Sequence, residues 1–149
     1  MQVTIGSYKT FDSKQDRVIQ VRIDPWDTWN MDHTLSFIIL PMLRQLKDTK
    51  HGAPNVNIED CPDHLKPTTQ ELASQENAGE VDMNSMTAAG ESEHFFDRWD
   101  WVLDEMIFAF ENIDCDWDDK LPVPFSPSQD ARIKNGFMLF GKYFQSLWD

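Results

Sequence analysis

The stretch RWDWVLDEMIFAFE, residues 98–111, has the spacing of an amphipathic helix and decides the fold class that we expect. At about 100° per residue its apolar side chains gather on one broad face. That face comprises Phe96, Trp99, Leu103, Met106, Ile107 and Phe110. The opposite face is acidic and comprises Glu93, Asp97, Asp100, Asp104 and Glu111. The pattern predicts a helix that follows Ser92 as N-cap, runs to about Ile113 and packs on a core through one side.

Two aromatic residues of this helix, Trp101 and Phe108, depart from the pattern because they fall within the acidic face. They are seven residues apart and therefore lie two turns apart along the same line. A solvated helix face has little reason to carry two aligned large aromatics. Either another part of the same subunit covers them, or they form a contact surface. We expect an interface with a second subunit or a partner, and hence a homo-oligomer.

A second helix is expected within residues 27–52, with Asp27 as N-cap and Gly52 as the C-terminal stop. Its apolar residues occur nearly all round the helix, which is typical of a buried central helix. The helix would share the core with residues 98–111.

A third helix is expected from about Ser128 to Leu147. Gly136 and Gly141 flank its apolar stripe and would permit close approach of another backbone. The stripe comprises Ile133, Phe137, Phe140, Phe144 and Leu147. Three basic residues off the stripe are free to pair with acidic neighbours: Arg132, Lys134 and Lys142.

The N-terminal residues 1–24 have the pattern of a β-hairpin. VTIGSYKT and RVIQVRID are strand-like, and Ile19, Val21 and Ile23 alternate with polar residues in the second. A lone hairpin is marginal in water, so this one must pack on something. Residues 53–92 lack aromatics and are rich in polar residues, which indicates a long connection.

Together these patterns predict one α+β domain, mainly α, that spans residues 1–149. It would have about three helices and a small N-terminal β-hairpin in residues 1–24. The helical body would comprise residues 27–52 and 92–149, joined by the long loop 53–91.

The composition indicates a protein of a reducing cytoplasm. The chain has 149 residues, of which 40% are hydrophobic, and two cysteines, Cys61 and Cys115. Two cysteines make a disulfide scaffold unexpected. The N-terminal segment lacks the features of a signal peptide. The longest apolar run, FIILPML, is far shorter than the roughly 20 residues that a membrane span needs, so we expect no membrane partner.

The net charge of −13 is unevenly distributed. Residues 91–119 contain eleven acidic residues and one basic residue, Arg98. Such a field repels nucleic-acid phosphates and anionic membranes, so no nucleic acid is expected as a partner. It would suit a basic protein partner, a metal cation or simple solubility.

The acidic face also raises a metal-enzyme alternative. Asp97, Asp100 and Asp104 have the helical spacing that lets carboxylates share a cation, as in all-α nucleotide pyrophosphatases with Mg²⁺. These enzymes need a second pair, whereas the helix in residues 27–52 offers only Asp32 and Asp48. We therefore treat the three carboxylates as weak metal candidates.

Other metal and catalytic patterns are incomplete. DCDWDDKLPVPF begins like a calcium loop, but Asp119 stands where the turn needs Gly and Phe125 where it needs Glu. Cys61 and His64 would supply at most half of a zinc site. Nucleophile elbows, phosphate-cradling loops and dinucleotide fingerprints are absent. The sequence predicts no cofactor and favours binding over catalysis.

The segment DPWDTWNMDH, at the start of the helix in residues 27–52, is the best binding candidate. Flat aromatic rings beside backbone N–H groups at a helix start suit a ring and an anion together. The candidate binding residues are Trp26, Trp29, Asp32 and His33. Alternatively, the tryptophans fix the hairpin onto the helices.

Three blocks of the sequence resemble a family of small proteins encoded by tailed bacteriophages. They are WDTWNMDHTLSFIILPMLRQLKDTKHGAP, RWDWVLDEMIFAFE and RIKNGFMLFGKYFQSLWD, and they cover roughly half the chain. The resemblance assigns no catalytic or binding residue. It implies a non-enzymatic interaction protein of the host cytoplasm, of a counter-defence type that binds a small nucleotide-like ligand or a host protein. The alternatives are a virion structural protein and a metal-dependent nucleotide pyrophosphatase.

Overall fold

The computed structural model describes residues 1–6, 18–66, 94–113 and 125–148. The strands are β1 (Gln2–Ile5) and β2 (Ile19–Arg22), and the helices are α1 (Met31–Thr49), α2 (Phe95–Glu111) and α3 (Pro127–Lys142). Short 3₁₀ helices occur at Pro25–Thr28, Ile58–Asp60, Asp63–Leu65 and Phe144–Ser146. The predicted α+β fold, mainly α with an N-terminal hairpin, is confirmed.

Helix α2 is the centre of the fold. Trp99, Leu103 and Met106 of the predicted apolar face are fully buried, and so is Val102. The prediction is wrong for Phe96, which is exposed at the start of the helix. Helix α2 packs against α1 on one side and α3 on the other. The same core contains Leu43 of α1, Leu139 of α3 and Tyr143, which follows α3. The helix begins at Phe95, with His94 at the N-cap position, whereas Ser92 lies outside the described residues.

Helix α1 is not the buried central helix that its composition predicts. Only Ser36 and Leu43 are buried, while Phe37 and Met42 are exposed. The predicted bounds also change. The helix begins at Met31 and ends at Thr49, and Lys50 rather than Gly52 closes it by donating its backbone N–H to the Leu46 carbonyl. Helix α1 is largely exposed because α2 covers only one side of it.

Helix α3 begins with a capping box, in which the Ser126 hydroxyl accepts from the backbone of Gln129 and the Gln129 side chain accepts from the backbone of Ser126. The helix ends at Lys142, short of the predicted Leu147, and a 3₁₀ turn follows. Gly136 is buried against α2, so the predicted close approach is confirmed there. The same prediction is wrong at Gly141, which faces open space.

The described part of the predicted loop, residues 53–66, packs into the core. Val56, Cys61 and Leu65 are buried, and two 3₁₀ turns shape the segment. The Leu65 carbonyl accepts a 2.7 Å hydrogen bond from Nε of the buried Arg98. Residues 67–93 of the predicted loop lie outside the described residues.

The hairpin is antiparallel, and its register gives it two unlike faces. Val3 pairs with Val21 and Ile5 with Ile19. Because alternate residues of a strand share a face, these four apolar side chains lie on one face. The polar residues Gln2, Thr4, Gln20 and Arg22 lie on the other. Ile5, Ile19 and Val21 of this apolar face are exposed, so what the hairpin packs on stays a prediction.

Candidate functional site

Two tryptophans form an exposed aromatic platform just before α1. Trp26 and Trp29 stack with their ring centroids 5.4 Å apart and an interplanar angle of 26°. The two residues are 72% and 70% exposed. Neither ring is buried, and whether the tryptophans also fix the hairpin onto the helices stays an alternative. The platform presents two large and mostly exposed aromatic side chains at the surface.

The turn beneath the platform is held by carboxylates. The Asp24 side chain accepts from the backbone N–H of Trp26 at 3.0 Å, and Asp27 accepts from that of Asp24 at 2.7 Å. This reciprocal pattern is a capping box for the 3₁₀ helix Pro25–Thr28. The prediction that Asp27 is the N-cap of α1 is therefore wrong, because Asp27 belongs to the preceding 3₁₀ helix. The Asp-x-x-Asp spacing was the signal that would have identified this box.

Asp27 also contacts the amino group of Met1, at 2.7 Å. The hydrogen bond to this ammonium, followed by the one from the Asp24 backbone, lowers the pKa of the Asp27 carboxyl. The carboxylate thus links the start of the hairpin to the turn that carries the tryptophans.

The other two predicted binding residues lie in the first turn of α1. Asp32 is exposed and places a negative charge beside the N-terminus of the helix. His33 is half-buried, and its ring contacts Phe37 with centroids 4.6 Å apart. The structure therefore brings Trp26 and Trp29 together, while His33 pairs with an aromatic residue that sequence reasoning did not include.

The acidic face of α2 is partly neutralised by basic residues of α1. Arg44 pairs with Glu111 at 2.6 Å, Lys47 with Asp104, and Lys50 with Asp100. The pairs follow opposite sequence order on the two helices, so α1 and α2 run antiparallel. Much of the face is thus an interhelical contact surface.

The three weak metal candidates have other partners. Asp97 lies 3.0 Å from the His94 ring, while Asp100 and Asp104 bind lysines of α1. Within residues 1–6, 18–66, 94–113 and 125–148, no group of three or more His, Cys, Asp or Glu side chains has the arrangement of a metal site. The calcium-like residues 114–124, including Cys115, lie outside the described residues.

The predicted interface residues Trp101 and Phe108 are both half-buried. Trp101 packs against the edge of the core. The Arg132 guanidinium lies 3.8 Å from the centre of the Phe108 ring, and the same side chain pairs with the buried Glu105 at 2.8 Å. Part of each ring is therefore covered within the chain, and a role in a subunit interface stays a prediction.

A buried tyrosine, Tyr143, joins residues 57–60 to the end of α3. The Tyr143 hydroxyl donates to Asp60 at 2.5 Å and accepts from the Asn57 backbone N–H at 2.9 Å. Burial, reinforced by the hydrogen bond to Asp60, raises the pKa of Tyr143 to about 12. Lys142 pairs with the same carboxylate at 2.6 Å. Tyr143 thus stays protonated at neutral pH and serves to hold residues 57–60 on the core.

Cys61 has the environment of a structural cysteine. It is buried in the core, and burial raises the pKa of its thiol above the usual range. A reactive cysteine needs a lowered pKa and access to solvent. Cys61 is therefore poorly suited to act as a nucleophile.

An apolar groove, which sequence reasoning missed, lies between α1 and the C-terminal turn. Its volume is about 660 Å³, within the range of small-molecule pockets. The polar lining residues are Gln45 and Thr49. The apolar side chains are Ile39, Pro41, Met42, Leu43, Leu46, Phe140, Phe144, Leu147 and Trp148. No local pattern in the sequence indicates the groove, because its lining joins residues 39–49 to residues 140–148.

The chain matches no protein-family model, and it has no significant match among curated proteins or solved structures. The resemblance to phage-encoded proteins therefore stays a prediction. None of the helices in the described ranges combines the length and hydropathy that crossing a membrane requires.

Proposed function

We propose that this chain is a non-enzymatic interaction protein that works as a homo-oligomer and binds its partner through the Trp26–Trp29 platform. The observation that carries the proposal is the stacking of two tryptophans that are each about 70% exposed. Large aromatics in that state contribute little to the fold. They supply much of the energy of binding when a planar or cationic group covers them.

The negative charge around the platform limits the classes of partner that it can bind. Asp32 lies in the first turn of α1, and the whole chain carries a net charge of −13. A polyphosphate would be repelled, whereas a nucleobase would stack and offer amino groups to the carboxylate. An arginine or lysine of a basic protein segment would form cation–π contacts on the same rings. Both partner classes fit a counter-defence role in the cytoplasm of an infected host, which rests on the sequence resemblance alone.

Two matched variants test the platform. Trp26→Ala with Trp29→Ala should weaken binding about tenfold or more, because each ring–base contact contributes roughly 1–3 kcal/mol and each ring–cation contact roughly 0.5–2 kcal/mol. Trp148→Ala removes a tryptophan from the apolar groove, which lies along the C-terminal half of the 19-residue α1, whereas the platform precedes the first residue of that helix. Binding measured by isothermal titration with nucleoside monophosphates and with an arginine-rich peptide should respond only to the first change.

Three outcomes decide whether the partner binds at the platform, at the groove or at neither. Loss of binding in the platform variant alone supports the proposal, and the probe that binds identifies the partner class. Loss in the Trp148 variant alone moves the site to the groove. If neither probe binds the wild type, and native mass spectrometry of protein isolated from its own cells shows no bound molecule, the proposal is wrong.

A virion structural role is the second candidate, because the two-stranded sheet exposes an apolar face of the kind that assembling proteins cover. A structural protein would be present in purified particles at a fixed copy number. An interaction protein of the cytoplasm would be absent from them.

A further inference from the structure

We infer that the apolar face of the hairpin, formed by Val3, Ile5, Ile19 and Val21, is covered by the same face of a second copy in a two-fold dimer. The inference rests on the proposed homo-oligomer and names its surface. The contact does not use the Trp26–Trp29 platform, so the two can be tested separately.

The hairpin needs a partner for its own stability. A two-stranded hairpin is marginal in water and needs more strands or a packed face to persist. In this hairpin the face that should be packed points to solvent, with Ile19 65% and Val21 56% exposed. Two such faces packed together would give each hairpin the apolar layer that it lacks.

The exposed apolar face of the hairpin is large. Ile5, Ile19 and Val21 of this face are each about half exposed or more, and so is Ile23, which follows β2 on the same side by alternation. Together they leave on the order of 400 Å² of apolar surface. That is close to the largest apolar patch that a typical monomer exposes, roughly 300–600 Å². Covering it in two copies would bury about 800 Å², before the polar rim is added. With its polar rim, the interface would exceed the roughly 1,000 Å² that a specific contact needs, and it would be small for a stable dimer.

The hairpin also differs from the rest of the chain in its charge. Copies of a chain with a net charge of −13 repel one another through most of their surfaces. Residues 1–6 and 18–23, which form the described hairpin and its flanks, contain no Asp or Glu. Arg22 lies on the polar face, away from the contact. The hairpin is therefore a place where two copies can meet without carboxylate repulsion.

The test uses two substitutions on neighbouring residues of β2. Ile19→Lys puts an ammonium into the proposed contact, whereas Gln20→Lys adds the same charge to the opposite face. We expect the wild type and Gln20→Lys to form dimers whose fraction rises over about 1–100 μM in sedimentation equilibrium. Ile19→Lys should raise the dimer dissociation constant by about 100-fold or more, because two-fold symmetry places two unpaired charges in the interface.

A second measurement does not depend on the lysine variant folding well. Val21→Cys places a thiol on the apolar face, and Gln20→Cys places one on the polar face. Mild oxidation should link the first variant into a dimer on a non-reducing gel. The second should stay largely monomeric under the same conditions.

The outcomes distinguish the possible failures. A wild type that is monomeric throughout this range overturns the inference and the proposed homo-oligomer together. An oligomer whose mass Ile19→Lys leaves unchanged overturns only the hairpin contact. If that variant keeps the wild-type mass but melts at lower temperature, the face is covered within its own chain, and the inference is wrong.

Discussion

Gly136 of α3 lies directly against Glu105 of α2, so that a side-chain carbon built on Gly136 would come within 2.2 Å of the Glu105 carbonyl oxygen. The same carbon would lie 2.6 Å from the Ala109 side chain. The two backbones therefore touch at this point. The closeness of α2 and α3, the largest contact between helices in the described residues, depends on the missing side chain.

The contact between Gly136 and α2 gives the first prediction. Gly136→Ala should lower the free energy of unfolding by about 3 kcal/mol, because a backbone atom cannot yield and the helices must separate. Gly141→Ala is the matched control, since nothing lies within 4 Å of that position. It should leave stability unchanged or raise it by up to roughly 0.5–1 kcal/mol, as alanine favours the helix. Urea unfolding measures both, and equal effects would contradict the close approach.

The second prediction concerns the ion pair of Arg132 with Glu105. Glu105 is only 6% exposed. Arg132→Met should lower the free energy of unfolding by about 2–3 kcal/mol, because it leaves a buried carboxylate without its charged partner. Lys134→Met removes a base that pairs with the exposed Asp130 one turn away on the same helix, and it should cost less than about 0.5 kcal/mol.

A double variant checks the cause of the Arg132 effect. Adding Glu105→Gln to Arg132→Met removes the unpaired charge, so the loss of stability should be smaller than in Arg132→Met alone. If the double variant is instead less stable by the sum of the two single effects, the ion pair is not the cause. The stacking of Arg132 on Phe108 would then account for the loss.

Tyr143 gives a prediction at high pH. Folding raises the pKa of its phenol from 10.0 to about 12, so the native state keeps a proton that the unfolded chain releases in this range. The stability that comes from this difference is complete below pH 10 and is lost as the pH rises towards about 12. Tyr143→Phe should not show this part of the loss. It should also be less stable at neutral pH by roughly 1–3 kcal/mol, because the Asn57 N–H loses its acceptor.

Phenolate absorbance provides the measurement for Tyr143. The chain has two tyrosines, and the second, Tyr8, lies outside the described residues. In Tyr8→Phe the remaining phenol should titrate near pH 12, whereas in 6 M urea it should titrate near pH 10. An unchanged midpoint on unfolding would show that burial and Asp60 do not hold the proton.

The fold could be predicted where the residue spacing within one element was enough to define its structure and its buried face. The apolar spacing around Trp99 and Leu103 predicted the buried face of α2, and the hairpin pattern was also correct. The burial of α1 was wrong because composition does not reveal how many neighbours a helix has. Arg44, Lys47 and Lys50 pair with α2 only because the two helices run antiparallel, which is a tertiary relationship.

The candidate site was predicted in part for the same reason. Trp26 and Trp29 are close in sequence, so a local turn was enough to bring them together. The capping box of Asp24 and Asp27 was local too, but the choice of Asp27 as the N-cap of α1 hid it. The groove between α1 and the C-terminal turn joins residues far apart in sequence, and no local pattern indicates it.

The last prediction tests the interface expected at Trp101 and Phe108. Trp101→Ala with Phe108→Ala should lower the free energy of unfolding by about 2–4 kcal/mol, because both rings are partly covered within the chain. If the exposed parts also form a subunit interface, the oligomeric mass in native mass spectrometry should fall. Ile19→Lys is the reference, since it should change the mass with little effect on the helices. An unchanged mass with lower stability would assign both aromatics to packing within one subunit, and would leave the hairpin as the place where two copies meet.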